Sequence, residues 1–402
     1  MVVTGCGAVS AWGWGVEPLR QGLRSGRSAI RPTTVFDTRG QRTRVAGEVP
    51  PPPVAVVQRI AEWAQLAMAD RFALAAADEA VERADLALVG RLAGTFFGGS
   101  TAGMLECERY LGRLTGALAG HPRLALLASQ QINGPGDAVA RHLEVTGPTY
   151  TVSSACASGG LAIAAAVESI RRGEVEVAVA GGADSLCLLT YSGFNSLRSV
   201  DPEGCRPFRA DRAGLSIGEG AGILILESLA GANARGASPL AEILGWGSSC
   251  DAHHMTAPHP EGDGAAAAIT RALGDAGISP DQVAFINAHG TGTPHNDVSE
   301  ARAIERVFGA RWSRVPVTAT KASVGHLLGC SGAIEAVATV LAFLDGAVQP
   351  TPGHGPVDPS LGLDLVLDEP RRLAPGSVAV STSFAFGGAN AALVLAAWGD
   401  AA

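Results

Sequence analysis

Thr151-Val-Ser-Ser-Ala-Cys156-Ala-Ser-Gly-Gly160 decides how the rest of this chain is read. A β-branched run ends abruptly, a cysteine follows, and an Ala/Gly-rich helical pattern continues to about Arg172. The spacing predicts a strand over Tyr150–Val152, a sharp turn carrying Cys156, and a helix over Ala157–Arg172. A sulfur at a helix N-terminus faces unpaired backbone N–H groups and a positive partial charge. Both favour the thiolate, which is the nucleophile. Taken alone, a cysteine in an Ala/Gly packing site is better explained as a buried structural residue. The decision rests on what else the chain places at strand ends.

Working outward, short β-rich runs alternate with Ala/Leu-rich helical runs, the mark of an α/β fold. Strands are expected at Val2–Thr4, Gly94–Gly98, Val175–Ala180, Gly222–Leu226, Ala284–Asn287, Val315–Thr318, Val378–Ser381 and Ala392–Leu395. Further helices are expected at Val56–Glu82, Ala265–Ala276, Val298–Phe308 and Ser331–Leu344. There is an internal echo. Tyr150–Cys156 resembles Val317–Ser323, and Gly218–Leu226 resembles Gly387–Leu395. The same strand order would then occur twice, with a seam near 228–245, giving halves 1–245 and 246–402. Chance likeness between Ala/Gly-rich segments explains these matches equally well.

The chain of 402 residues is 47% hydrophobic and 17% charged, which suits a large folded core. A net charge of -8 argues against nonspecific nucleic-acid binding. The seven cysteines include no C-x-x-C pair, so neither a disulfide framework nor a zinc ribbon is indicated. A reducing cytosol fits best. Met1-Val-Val-Thr-Gly-Cys reads as a first strand and not a signal peptide, and the most apolar stretch, Leu327–Val348, reads as a buried helix. A soluble, cytoplasmic protein that binds neither membrane nor nucleic acid is expected.

Two histidines stand where Cys156 would need help. Asn287-Ala-His289-Gly-Thr291-Gly-Thr293-Pro294 places His289 at a strand tip in a small-residue loop. Ligands bind at such strand ends in α/β folds. Thr291 and Thr293 offer hydroxyls to a polar, flexible ligand, and Asp297 either pairs locally or caps the next helix. Thr320-Lys321-Ala-Ser-Val-Gly325-His326-Leu-Leu-Gly329 repeats the arrangement. Lys321, in apolar surroundings, needs a partner, and Glu335 is the natural one. A cysteine with one histidine suggests a hydrolase. Two histidines and a lysine imply stabilisation of a developing oxyanion. Ser381-Thr-Ser-Phe384-Ala385-Phe386-Gly387-Gly388-Ala389-Asn390 supplies a Gly-Gly turn whose N–H groups can face a carbonyl, with phenylalanines to line or gate a channel. Asp251-Ala-His253-His254-Met255 with His259 lacks metal-ligand spacing, so no metal is assigned. Arg206-Pro-Phe-Arg209-Ala-Asp211-Arg212 reads as a solvated loop or a patch for an acidic partner.

Together these motifs resemble the β-ketoacyl synthase family of thiolase-fold condensing enzymes, and the resemblance runs from Val2-Val-Thr-Gly-Cys-Gly to Gly387-Gly-Ala-Asn390. It implies two βα halves packed in five layers, α-β-α-β-α. It also implies a decarboxylative Claisen condensation without a cofactor, on acyl groups delivered by the phosphopantetheine of an acyl carrier protein. Cys156 would take the acyl group. His289 and His326 would stabilise the malonyl-derived enolate, and the N–H groups of Cys156 and Phe386 would form the oxyanion hole. Lys321, paired with Glu335, would hold His326, while Thr291 and Thr293 would contact the pantetheine arm. Phe384 and Phe386 would gate the acyl pocket, and Met104 and Leu105 would line it. Where the family commonly reads Phe-Gly-Phe-Gly-Gly-Thr-Asn, Ala385 and Ala389 stand here, implying a stiffer turn and one contact fewer. The altered turn and high Ala, Gly and Arg content favour a discrete type II polyketide ketosynthase, with polyene chains as one candidate product, over a fatty acid elongation enzyme. A chain-length-factor-like partner subunit is disfavoured, because such partners lack the nucleophile. The resemblance implies a dimer, with itself or with a chain-length factor.

Overall fold

Three of the long strands are buried at every residue, with no polar alternation: Val2–Ser10, Val177–Asp184 and Gly220–Glu227. Strands of that kind belong to sheets covered on both faces. The computed structural model describes residues 1–399 and is built that way. The first half of the chain contributes β1 (Val2–Ser10), β2 (Ala93–Gly98), β3 (Thr149–Val152), β4 (Val177–Asp184) and β5 (Gly220–Glu227). The second contributes β6 (Ala241–Cys250), β7 (Val283–Asn287), β8 (Pro316–Thr318), β9 (Val378–Phe384) and β10 (Ala389–Ala397). The spatial order is β1-β5-β4-β2-β3 and then β6-β10-β9-β7-β8. In each set the first two joints are antiparallel and the last two parallel. The sets join edge to edge where Val2 and Val3 of β1 oppose Glu242 and Ala241 of β6. The repeated strand order is thus present.

The helices repeat too. α1 (Met68–Arg83) and α2 (Gly134–His142) cover the first set, while α4 (Asp263–Ala276) and α5 (Pro294–Phe308) cover the second. α3 (Ser158–Arg171) and α6 (Ser331–Asp345) lie against each other between the sets, completing five layers. α6 is buried from Ser331 to Phe343, which explains its apolar character on all sides. Leu328–Asp345 is long and apolar enough to cross a bilayer by composition, but 83% of it is buried inside the fold. α3 and α6 meet at their first turns through glycine. A Cβ on Gly159 would stand 2.8 Å from the Ala333 nitrogen, and one on Gly332 would stand 2.7 Å from the Gly160 nitrogen. Real Cβ atoms do not approach so closely, so the contact requires glycine. It brings the loop before α3, with Cys156, beside the loop before α6, with His326.

Several expectations are corrected. Val56–Glu82 is not one helix. Val54–Arg59 ends at Ile60, one turn covers Trp63–Gln65, and α1 starts at Met68. The Trp63 ring packs on Trp14 at 5.7 Å, Glu62 turns through a φ of +53°, and Asp70 accepts the Ala67 N–H where the helix restarts. β6, α2 and the helices Val16–Arg24, Met104–Leu114, Leu188–Ser196 and Leu229–Ala234 were not anticipated. β6 begins at Ala241, within the stretch 228–245 where the seam was expected.

Candidate active site

The turn after β3 is pinned around its cysteine. Ala155 takes a φ of +44°, which a side chain rarely adopts. The Ser158 hydroxyl accepts from the Ser154 N–H at 2.8 Å and donates to the Ala155 carbonyl at 2.6 Å, and Ser100 donates to the same carbonyl at 3.3 Å. Cys156 is buried and lines a cleft together with His289, His326 and Phe386. Burial pushes the thiol up to about 11; the Lys321 ammonium and the Phe386 N–H act in the opposite direction but do not prevail. The acidified cysteine expected from the helix end is therefore corrected. At neutral pH Cys156 is a thiol, because removal from water outweighs the favourable dipoles.

His289 and His326 line the same cleft, with ring centroids 5.5 Å apart and planes at 88°. The Lys321 ammonium donates to His289 Nδ1 at 3.0 Å and forms a close ion pair with Glu335. The His289 N–H donates to Glu300 at 2.8 Å and to the Thr382 hydroxyl at 2.9 Å. His326 Nδ1 accepts from the Leu328 N–H at 3.0 Å and from the Ser331 hydroxyl at 2.9 Å. Its backbone is gripped by the Ser216 carbonyl and the Gly218 N–H. The expected partnership of Lys321 with His326 is therefore corrected: the lysine holds His289, and Ser331 with the Leu328 N–H holds His326. With each Nδ1 accepting, each proton is left on Nε2, so both rings are donors. Both are held well below the usual histidine value, His289 by burial, Lys321 and His326, and His326 by burial and Lys321. Burial lifts the Glu335 carboxyl to about 7 against the pull of Lys321.

Neutral histidines leave a trace in stability. A buried imidazole that refuses a proton the unfolded chain accepts loses stability as pH falls below the unfolded value near 6.5. Relative to His326→Asn, the wild-type protein is expected to lose up to about 1.4 kcal/mol per pH unit in that acid range. Urea midpoints between pH 7 and 5 test this; a difference that does not change with pH would contradict a neutral His326.

Thr291 and Thr293 line the cleft with their hydroxyls 2.8 Å apart. Asp297 does not cap α5. It accepts the Gly292 N–H at 3.1 Å and the Phe208 N–H at 2.7 Å, and burial pushes it up to about 7. Glu300, one helical turn further on, accepts the N–H groups of His289 and Gly290 and the Thr382 hydroxyl. The solvated-loop reading of Arg206–Arg212 is also corrected. Arg206, Phe208 and Arg209 are buried, Arg206 pairs with Asp201 and Asp211, and Arg212 pairs with Asp358. The arginines point into the fold while Asp211 stays half exposed, and the loop packs under Gly290–Gly292.

The turn after β9 closes the cleft. Phe384 stands 5.7 Å from the His289 ring, and Phe386 stacks on Phe194 at 5.6 Å. Gly387 and Gly388 have φ near +88° and +83°, while Ala385 has no such constraint and carries a methyl among the cleft-lining residues. Asn390 ties the turn to Asp251 at 2.7 Å, and Asp251 N–H donates to the Gly388 carbonyl at 2.8 Å. Met104 and Leu105 do not line this cleft; they open the helix Met104–Leu114. The cleft thus gathers a buried thiol and two imidazole donors beside the turn that carries Phe386. That set can hold a carbonyl while negative charge develops on it.

The family model described as beta-ketoacyl synthase, N-terminal domain, matches residues 1–232, and the C-terminal domain model matches residues 240–354. A curated relative, 3-oxoacyl-[acyl-carrier-protein] synthase 2 of Synechocystis sp., is 39% identical over 408 residues, covering 98% of this chain and 97% of its own. The solved structure of the ishigamide ketosynthase/chain length factor matches with a TM-score of 0.93 and 38% identity, covering 99% of each chain. A ketosynthase solved in complex with its type II PKS acyl-carrier protein and bound to the hexaketide matches with a TM-score of 0.89 and 31% identity, covering 99% of each chain.

Proposed function

Because the chain belongs to the β-ketoacyl synthase family, whose models match 1–232 and 240–354, we propose that this condensing acyltransferase elongates chains in a type II polyketide pathway of the cytosol. The ishigamide ketosynthase/chain length factor, at 38% identity and a TM-score of 0.93, supports that pathway. The observation carrying the chemistry is that the buried Cys156 thiol shares one cleft with His289 and His326, whose Nδ1 atoms are occupied so that each Nε2 keeps its proton.

The steps follow from that geometry. Cys156 attacks an acyl thioester carried on an acyl carrier protein. The new S–C bond forms, the carrier's S–C bond breaks, and the thiol proton goes to the departing carrier sulfur. The oxyanion is held by the N–H groups of Cys156 and Phe386. Malonyl thioester then enters, with its arm against Thr291 and Thr293 and its carbonyl oxygen facing His289 and His326. Loss of carbon dioxide leaves its bonding pair in the enolate, which the two donors stabilise. The enolate carbon attacks the acyl-Cys156 carbonyl, a C–C bond forms, and the S–C bond to Cys156 breaks. The thiolate recovers a proton from solvent. Lys321, paired with Glu335, fixes the His289 tautomer. Hydrogen-bond donors suffice for an enolate, so the only prosthetic arm required is the carrier's phosphopantetheine.

A second subunit belongs to this reading. Edge strand β3 exposes Tyr150 at 53%, and the helix Met104–Leu114 with the residues after it exposes Leu111, Leu114, Leu118 and Leu124. Unpaired edges and exposed apolar residues of this kind are covered in assemblies. The occupant is a second copy or a chain-length factor.

The test is intact-protein mass spectrometry with carrier-bound substrates. Polyketide-type unsaturated acyl thioesters should label the chain and, on adding malonyl carrier protein, yield an extended β-ketoacyl carrier. Labelling only after a partner subunit is added would indicate an obligate heterodimer. Equal or better turnover of saturated acyl chains would instead favour fatty acid elongation, which the 39% identity to 3-oxoacyl-[acyl-carrier-protein] synthase 2 supports.

A further inference from the structure

The Thr291–Thr293 segment is held at its centre from two sides. Gly292 N–H donates to Asp297 Oδ1 at 3.1 Å, and the Gly292 carbonyl accepts from the Gly214 N–H at 3.1 Å. Its φ is +77°, and a Cβ there would lie 2.8 Å from the Gly214 oxygen, so that backbone has one pose. Behind it lies a buried ion triad. Asp297 Oδ2 accepts the Phe208 N–H and faces Arg212 Nε at 3.7 Å. Arg212, 7% exposed in its side chain, donates to Asp358 at 2.7 Å and to the Arg209 carbonyl at 2.8 Å. Neither Asp297 nor Arg212 lines the cleft.

We infer that Arg212 is a positioning residue which, through Asp297, fixes the Thr291–Thr293 segment and thereby sets the grip on the carrier's thioester arm, not the reactivity of Cys156. This rests on the reading above that those hydroxyls meet the arm. Without Arg212, Asp297 is a fully buried carboxylate facing the like charge of Glu300 on its own helix. Its pKa, already raised by burial to about 7 beside Arg212, rises further, and a protonated carboxyl cannot accept both backbone N–H groups equally well. Gly292 is then released on one side. Cys156, His289 and His326 keep their own supports in Ser158, Lys321 and Ser331, none of which touches Arg212.

The test compares the wild-type protein with Arg212→Met and Arg212→Lys. Three quantities are read: KM and kcat for malonyl carrier protein, affinity for carrier protein with and without its phosphopantetheine arm, and the alkylation rate of Cys156 by iodoacetamide. Arg212→Met should raise KM and weaken binding of the arm-bearing carrier about tenfold, the scale of one hydrogen bond to a charged group. The arm-less carrier, kcat and the alkylation rate should stay within about twofold, and Arg212→Lys should recover part of the loss. Equal weakening for both carriers, or a fall in kcat or alkylation matching the rise in KM, overturns the inference. If Arg212→Met does not fold, Asp358→Asn removes only the outer ion pair and should show the same split to a smaller extent; no split overturns the inference. A wild-type protein that neither acylates nor binds the arm sinks the functional reading and this inference with it. An active wild type with an unaltered Arg212→Met variant sinks this inference alone.

Discussion

Cys156→Ser abolishes acyl transfer and leaves the fold intact: that is the expected result, and the site explains why the loss should be large. The substitution is nearly isosteric, and the turn is held by Ser154, Ser158 and Ser100, not by the sulfur. A melting temperature within about 2 °C of the wild type is expected. The hydroxyl, however, has no base. His289 Nδ1 is occupied by Lys321, and His326 Nδ1 by Leu328 and Ser331. Even the thiol stands up to about 11, and an alcohol in the same water-poor floor is far harder to ionise. The rate should fall by roughly 10³-fold or more. Mass spectrometry with an acyl carrier thioester reads it directly. A variant that still gained the acyl mass at the wild-type rate would remove Cys156 from its role.

The second large effect separates the two half-reactions. His289→Ala and His326→Ala should each slow malonyl decarboxylation by about 10²–10³-fold, the cost of removing one oxyanion donor. Acylation of Cys156 should persist in both, because the N–H groups of Cys156 and Phe386 serve that step. The two variants should not fold equally well. His289→Ala deprives the buried Lys321 of a hydrogen-bond acceptor, leaving Glu335 as its one side-chain partner among the described residues. His326→Ala frees only a backbone N–H and a hydroxyl. His289→Ala is therefore the less stable of the pair. Carbon dioxide release from malonyl carrier protein, measured beside acyl labelling, is the readout; survival of both activities would refute the enolate role.

Cys156, His289 and His326 were legible because each sits in a short motif at a strand end, whereas Phe194, Ser199, Leu215 and Asn296, which share the cleft, stand in no such motif. The partners of the two histidines were not legible either. Whether Lys321 meets His289 or His326 depends on how the one-turn helix Lys321–Val324 is rotated against β7, which no local pattern encodes. Glu300 is one helical turn from Asp297 on the same buried face, a signal present in the spacing but indistinguishable from a solvated charge. The Arg206–Arg212 loop misled for the same reason, since charges that neutralise one another look exposed in sequence. The cysteine's ionisation was misjudged because burial is a property of the whole fold. β6 was hidden by its glycines and half-buried alternation.

The glycine contact between α3 and α6 has a consequence for shuffling segments between relatives. The nucleophile is carried by one half of the chain and its two imidazoles by the other, and the spacing between them is set where Gly159 and Gly160 touch Gly332 and Ala333. A chimera that takes its first half from one parent and its second from another inherits two surfaces that never adapted to each other at that seam. Each half can be sound and the hybrid still inert, with sulfur and donors displaced by the width of one methyl group. Crossovers that carry both first turns from the same parent avoid that fate.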